Sequence, residues 1–253
     1  MTEALKTAKE LLLTPASLDE QGIEKLFRSM RSHHIDDADL YFQSCSFESW
    51  YLEDSVVKSG SFSLDKGVGI RAVSGDKTGF AYCDDILLPT MLRAAEAARS
   101  IAVAGANSLQ ALHAHNRAVP RYEAFNPIDG MSKQEKIALL EAIDKEARRI
   151  DPRVVQVNAS LSGCYEVVMV ADMHGQMHAD VRPLVSVNVS VIVEDKGRRE
   201  SARSGGGGRA AYSYFTAKER ALGYAREAVR EALVNLDARP APAGTMPVVL
   251  GPG

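Results

Sequence analysis

The chain has 253 residues, of which 45% are hydrophobic and 25% charged, and a formal net charge of −3. This is the composition of an ordinary globular protein with enough chain to bury a sizeable core. It argues against a nucleic-acid binder held by bulk charge, and no apolar run approaches the ~20 residues of a membrane span, so no membrane partner is expected. Residues 1–17, MTEALKTAKELLLTPAS, lack the basic start, long apolar centre and small-residue cleavage site of a signal peptide. Cys45, Cys83 and Cys164 lie far apart without a C-x-x-C, which reads as buried or free thiols in a reducing cytoplasm.

Ser17 and Glu20 form an S-x-x-E box that predicts a helix start, with Ile23, Leu26, Phe27 and Met30 on one face. Residues 38–83 change to short β-rich runs broken by Gly, Asp and Ser, which predicts a hairpin-rich sheet. Within it SGDKTG is a turn, with Gly75 and Gly79 supplying backbone freedom. Leu88, Leu92, Ala95 and Ala102 mark a helix, and residues 104–130 are aperiodic and read as a surface loop. Ser132 and Glu135 form a second capping box, and Ile137, Leu140, Ile143, Ala147 and Ile150 stripe the helix that Pro152 ends.

Residues 154–161 alternate, and residues 185–193 do so most clearly. Val185, Val187, Val189, Val191 and Val193 point one way, and Ser186, Asn188 and Ser190 the other. EDKGRRE reads as a hairpin turn into SARSGGGGR. Leu222, Ala225, Val229, Leu233 and Leu236 define a last helix, ARPAPAG is a connector, and TMPVVLGPG reads as the start of a strand. The order predicts an α+β, two-layer domain of mostly antiparallel strands with helices packed on one face, and a weak duplication of strands followed by a helix.

The four glycines admit three readings. As a phosphate loop, the run places Arg209 and Ala210 where Lys and a hydroxyl residue are needed, and as a dinucleotide fingerprint it lacks a parallel strand before and a helix directly after. A flexible loop is the plain alternative. The third reading is a strand edge stripped of side chains, along which another backbone could lie. Asp172, His174, His178 and Asp180 flank Gly175-Gln176-Met177; a three-residue hairpin loop would bring the imidazoles face to face over a metal, whereas exposed hairpin residues explain them as well. His33 and His34 suit a helix end, and His113 and His115 fall in the loop. Glu48, Glu53 and Asp54 beside Trp50 and Tyr51 could form a glycosidase pair, with solvated surface as the favoured reading. GRRESAR reads as a solvated basic turn rather than an anion site. No catalytic constellation emerges.

ADLYFQS, ESWYLEDSVVKSGSFSLDKGVGIRAVSGDKTGFAY, VRPLVSVNVSVIVEDKGRRESARSGGGGR and APAGTMPVVLGPG resemble the amino-terminal half of the TldD/PmbA family of metallopeptidases, also called modulators of DNA gyrase. The resemblance implies a cytoplasmic zinc peptidase that works as a complex of TldD-type and PmbA-like (TldE) paralogues on unfolded or leader-type peptides. A direct link to gyrase is left open. The family's metal motif is H-E-x-x-x-H on a helix, and the sequence contains no such motif. The resemblance therefore places no zinc ligand and no catalytic residue on this chain, which is expected to be inactive alone. It implies an amino-terminal domain over residues 1–238, and in residues 239–253 a connector and first strand toward a carboxy-terminal metallopeptidase domain. It also implies that Gly205, Gly206, Gly207, Gly208 and Arg209 belong to a wall beside the peptide. A stand-alone peptide- or partner-binding module, and an independent enzyme built on the Asp172–Asp180 cluster, are the alternatives.

Overall fold

The structure is a computed structural model that describes residues 2–31, 35–103, 121–240 and 243–251. Helix α1 (Glu3–Ala8) starts at Thr2, whose Oγ1 accepts from Leu5 N, and runs on into a π-helical turn over Lys9–Leu13. Sequence reasoning missed this helix, although Ala8 and Leu12 stand one turn apart and both are buried. Helix α2 (Glu20–Met30) buries Ile23, Leu26, Phe27 and Met30 as expected. Its cap, however, is Asp19, whose Oδ1 accepts from Gly22 N at 2.8 Å. Ser17 adopts a left-handed φ of 49° that closes the preceding turn, so its hydroxyl does not serve α2.

Strands β1 (Asp37–Glu53), β2 (Val56–Ser74) and β3 (Lys77–Cys83) form one antiparallel meander, followed by helix α3 (Leu88–Val103). Helix α4 (Lys133–Ile150) precedes a second meander of β4 (Val154–Asp172), β5 (Met177–Asp195) and β6 (Arg198–Gly208). Helices α5 (Ser213–Thr216) and α6 (Arg220–Leu236) follow it. β1 pairs antiparallel with β4, which joins the meanders into one six-stranded sheet of order β3-β2-β1-β4-β5-β6. The architecture is the expected α+β fold. It also realises the duplication at the level of elements, helix–three strands–helix twice, about the β1–β4 seam.

The strands are far longer than the short runs in the sequence suggest. Glycines that read there as breaks lie within strands where large side chains cross them. Gly60 sits beneath Trp50 and Gly163 beneath Tyr212. Gly79 is likewise not part of a turn. It lies in β3, where an added Cβ would collide with the Ala98 carbonyl of α3, so glycine is what lets that helix approach.

Alternation puts Ala38, Leu40, Phe42 and Leu52 of β1 on the same sheet face as the odd-numbered core residues of β4 and β5. All the helices pack on that face, in two cores along the strands. The first core joins α1, α2 and α3 to Ile70, Val167, Met169 and Val181. The second joins α4 and α6 to Leu161 and the five valines 185–193, every one almost wholly buried. Each such side chain contributes ~1.5–3 kcal/mol by leaving water. The Ser132–Glu135 capping box is present, with Ser132 N donating to Glu135 Oε2 at 2.7 Å and Glu135 N to Ser132 Oγ at 3.3 Å. Residues 243–251 form no strand and expose Val248, Val249 and Leu250. The strand read into TMPVVLG has no neighbour to pair with among the described residues.

Candidate functional site

The glycine run is neither a loop nor a phosphate cradle. Gly205, Gly206, Gly207 and Gly208 complete β6, paired with Asn188, Val187, Ser186 and Val185 of β5. β6 is the last strand of the sheet, so its other edge has no strand partner among the described residues. The four positions differ. A Cβ on Gly205 or Gly207 would run into the backbone of β5, at the Val187 and Val185 carbonyls. A Cβ on Gly206 would press on the Tyr224 hydroxyl of α6, the mobile end of a side chain. Gly208 faces open space, and nothing in the fold demands a glycine there.

Arg209 follows directly and is held in place. Its guanidinium lies 4.8 Å from the centre of the Tyr122 ring, and Nη1 donates to the Pro183 carbonyl at 3.4 Å. Tyr122 Oη donates to Asp180 Oδ2 at 2.7 Å, and Arg182 Nε donates to the same carboxylate at 2.9 Å. Burial and then the hydrogen bond to Asp180 push the Tyr122 phenol up, which keeps it a donor. The edge strand therefore ends in a cation braced by an aromatic ring and a backbone carbonyl.

The Asp172/His174/His178/Asp180 cluster does not assemble. The loop between β4 and β5 spans residues 173–176, one more than a symmetric grip needs. Asp172 Oδ1 is occupied by the backbone N–H groups of His174 and Gln176. His178 pairs across the ladder with Val170, and Asp180 is taken by Tyr122 and Arg182. Among the described residues no three His, Cys, Asp or Glu side chains are placed to hold a metal ion, so these residues do not fit a zinc site. His33, His34, His113 and His115 lie outside the described residues. The basic turn is solvated and internally paired. Arg198 meets Glu200 at 3.0 Å and donates to the Asn235 and Ala238 carbonyls at the end of α6, while Arg199 meets Glu194 at 3.4 Å.

Glu48 overturns the surface reading of the acids. It points into the helix-covered face and is 6% exposed. Lys136 Nζ pairs with its Oε1 at 2.5 Å, and Tyr212 Oη donates to the same oxygen at 2.7 Å. Lys136 also donates to the Ile128 carbonyl at 2.9 Å. Burial, and then Glu48, push the Tyr212 phenol up, so it remains a donor. Asp54 and Ser55, both with positive φ, turn β1 into β2 and dock on α4. Arg148 donates to Asp54 at 3.0 Å and Ser55 Oγ to Asp144 at 2.6 Å. Glu48 is committed to Lys136 and Tyr212 in the core and Asp54 to Arg148 at the turn, so these two acids are not presented together as a glycosidase-like pair. Sequence reasoning missed this clasp. Its one signal was parity: Glu48 shares the register of Leu40 and Phe42, so it had to face the core.

A single curled antiparallel sheet with helices on one face and an open edge defines an α+β domain pair rather than a nucleotide-binding fold. The comparisons then specify the family. The model of the PmbA/TldA metallopeptidase domain 1 matches residues 38–102, and that of the central domain matches residues 126–236. Between them they cover most of the chain, and it belongs to the PmbA/TldD metallopeptidase family, of which it carries the amino-terminal half. It is 48% identical over 255 aligned residues to a metalloprotease TldD homolog of Haemophilus influenzae, covering 98% of this chain and 53% of that protein. A metalloprotease TldD homolog of Buchnera aphidicola from Schizaphis graminum is 42% identical, with the same coverage. The chain thus spans about half the length of the curated relatives it matches.

Among solved structures, a candidate modulator of a DNA gyrase from Thermotoga maritima superposes with a TM-score of 0.73 at 14% identity, over 89% of this chain and 50% of that one. TldE from Thermococcus kodakarensis superposes at 0.66 and 14% identity, over 84% and 47%. At these identities the likeness is one of fold. The two family domains meet inside the sheet, at β1 and β4, and the Glu48–Lys136–Tyr212 clasp joins one to the other.

Proposed function

We propose that this chain is the peptide-holding and subunit-assembly portion of a TldD-type zinc metallopeptidase acting on unfolded or leader-type peptides in the cytoplasm. The observation that carries the reading is the glycine-bearing edge of β6. An extended peptide can add to an open strand edge through main-chain hydrogen bonds, which give affinity with little sequence preference. Close packing on β5 and Tyr224 accounts for Gly205, Gly206 and Gly207, whereas Gly208 needs no glycine for the fold. A peptide passing close to it gives that position a reason. Arg209, braced by Tyr122, supplies a fixed cation for a peptide carboxylate or carbonyl. The relatives' description as metalloproteases supports the reaction class. A TldE structure among the fold neighbours supports a PmbA/TldE-like paralogue as partner.

In this reading zinc and its ligands belong to the remainder of the family's length, and the 253-residue chain alone does not hydrolyse peptides. Two measurements test it. Gly208→Val, installed at the matching glycine of an intact relative, should lower peptide turnover about tenfold or more while leaving the melting temperature unchanged. Gly206→Val is the poorer probe, because it also displaces Tyr224. Unchanged turnover in the Gly208→Val protein removes the peptide edge. Chelator-sensitive peptide cleavage by the purified 253-residue chain overturns the division of labour.

A further inference from the structure

On the helix-free face of the sheet, Cys45 of β1 and Cys164 of β4 lie on neighbouring strands. Cys45 stands opposite Glu166 and Cys164 opposite Phe47, so the two form a diagonal pair. The right-handed twist of antiparallel strands draws one diagonal together, and here the sulfurs are 3.3 Å apart. A disulfide bond is about 2.05 Å long, so the two sulfurs must close by about 1.3 Å to form one. Both thiols are free and half-buried, open enough for a small reagent. Cys83 sits on β3 at the far edge of the sheet and has no thiol neighbour among the described residues.

We propose that Cys45 and Cys164 are a modification site: a reversible cross-strand disulfide, formed by exchange with a small-molecule disulfide such as oxidised glutathione, that locks the β1–β4 seam. The bond would link the family's first domain to its central domain on the face opposite the Glu48–Lys136–Tyr212 clasp. It stands independently of the peptide reading. Burial, and then the hydrogen bond with Cys45, push the Cys164 thiol up to about 12. One thiol of the pair gives its proton to solvent, and its thiolate attacks one glutathione sulfur and releases the other glutathione as a thiolate. The second thiol then gives its proton to solvent and attacks the protein sulfur of the mixed disulfide, releasing the second glutathione. Two protein thiols are oxidised, one glutathione disulfide is reduced, and the two protons end on the two glutathione thiols.

The purified chain is incubated with oxidised glutathione, its remaining thiols are alkylated, and it is digested without reductant for mass spectrometry. The expected result is one intramolecular link, Cys45 to Cys164, with Cys83 alkylated. Dithiothreitol reverses it, and the melting temperature of the oxidised form rises by about 5 °C or more, because the bond closes a loop of more than a hundred residues. Cys83→Ser behaves like the parent. Cys45→Ser and Cys164→Ser form no link and show no rise. Three alkylatable cysteines, a persistent glutathione adduct without a link, or a link through Cys83 in the parent protein would each overturn the proposal. A Cys45–Cys164 link that leaves the melting temperature unchanged would remove its locking role. Because the parent protein alone decides between these outcomes, a variant that misfolds does not obscure the answer.

Discussion

Glu48 is a carboxylate taken out of water and held by one cation, one phenol and, at 3.4 Å, the Trp50 indole N–H. Such a pair adds little over an apolar replacement, but removing one member strands the other. Glu48→Ala leaves Lys136 buried without a counter-charge, beside the Ile128 carbonyl and the Tyr212 ring, and should cost about 3–5 kcal/mol in urea unfolding. Tyr212→Phe removes one hydrogen bond to a charged group and should cost about 1.5–3 kcal/mol. Glu48→Met combined with Lys136→Met and Tyr212→Phe should recover most of the loss, because the buried phenol is then not left without its acceptor and the site is apolar and filled. A triple variant no better than Glu48→Ala would show that packing at this site, not the charge pair, holds the seam. Glu48 also shows what a sequence yields at this scale. Its parity was readable, whereas its partners were not, since Lys136 and Tyr212 come from elements whose approach only the folded sheet sets.

At the scale of elements, α4 and α6 are tied by Glu146. Its carboxylate accepts from Arg149 at 2.8 and 3.0 Å and from Arg226 at 2.6 Å. The hydrogen bonds from Arg149 and then Arg226 hold its pKa down, to about 2. A carboxylate depressed on folding contributes stability that is whole above its unfolded value of about 4.3 and is lost as the pH falls through the folded value. Melting temperature should therefore fall between about pH 4.5 and pH 2, and Glu146→Gln should flatten that window while lowering stability at pH 7. An unaltered acid limb in Glu146→Gln would place the acid sensitivity elsewhere.

Legibility varied in the same way among the elements. The valines of β5 and the Ser132–Glu135 box were plain, because one periodicity and one local hydrogen-bond pattern determine them. The α1 helix, the Asp19 cap and β6 were not. α1 is short and depends on the core beneath it. Ser17 and Asp19 offer competing caps that only backbone φ decides. Four glycines carry no side-chain period, so nothing local marks them as a strand; their place follows from β5 alongside.

Across the whole molecule, two meanders share one sheet, and the two cores lie end to end on the same long strands. β1 and β4 pair from Asp39/Asp172 to Glu53/Asn158, so neither domain can open without baring a face of the other. The chain should unfold in one transition despite its two family domains. Fluorescence of Trp50, its single tryptophan, and far-ultraviolet circular dichroism should give coincident urea curves, whereas two separated midpoints would mean that the domains are energetically independent. The duplication was visible in the order of elements but not in the residues, because core positions accept any apolar side chain of suitable volume. The edge at the glycines of β6 was legible only as one of three readings for a related reason: an edge is a property of topology, not of any one segment.

The seam also governs timing. Three of the four turns within the meanders close over two residues and the fourth over four, so those hairpins are cheap in chain entropy and quick to reach. Every β1–β4 pair instead joins positions more than a hundred residues apart, and a closure of that span costs more chain entropy than any of those turns. The rate at which a newly made chain becomes native should accordingly be set where its two halves meet, after the hairpins of each have formed and before either core is complete.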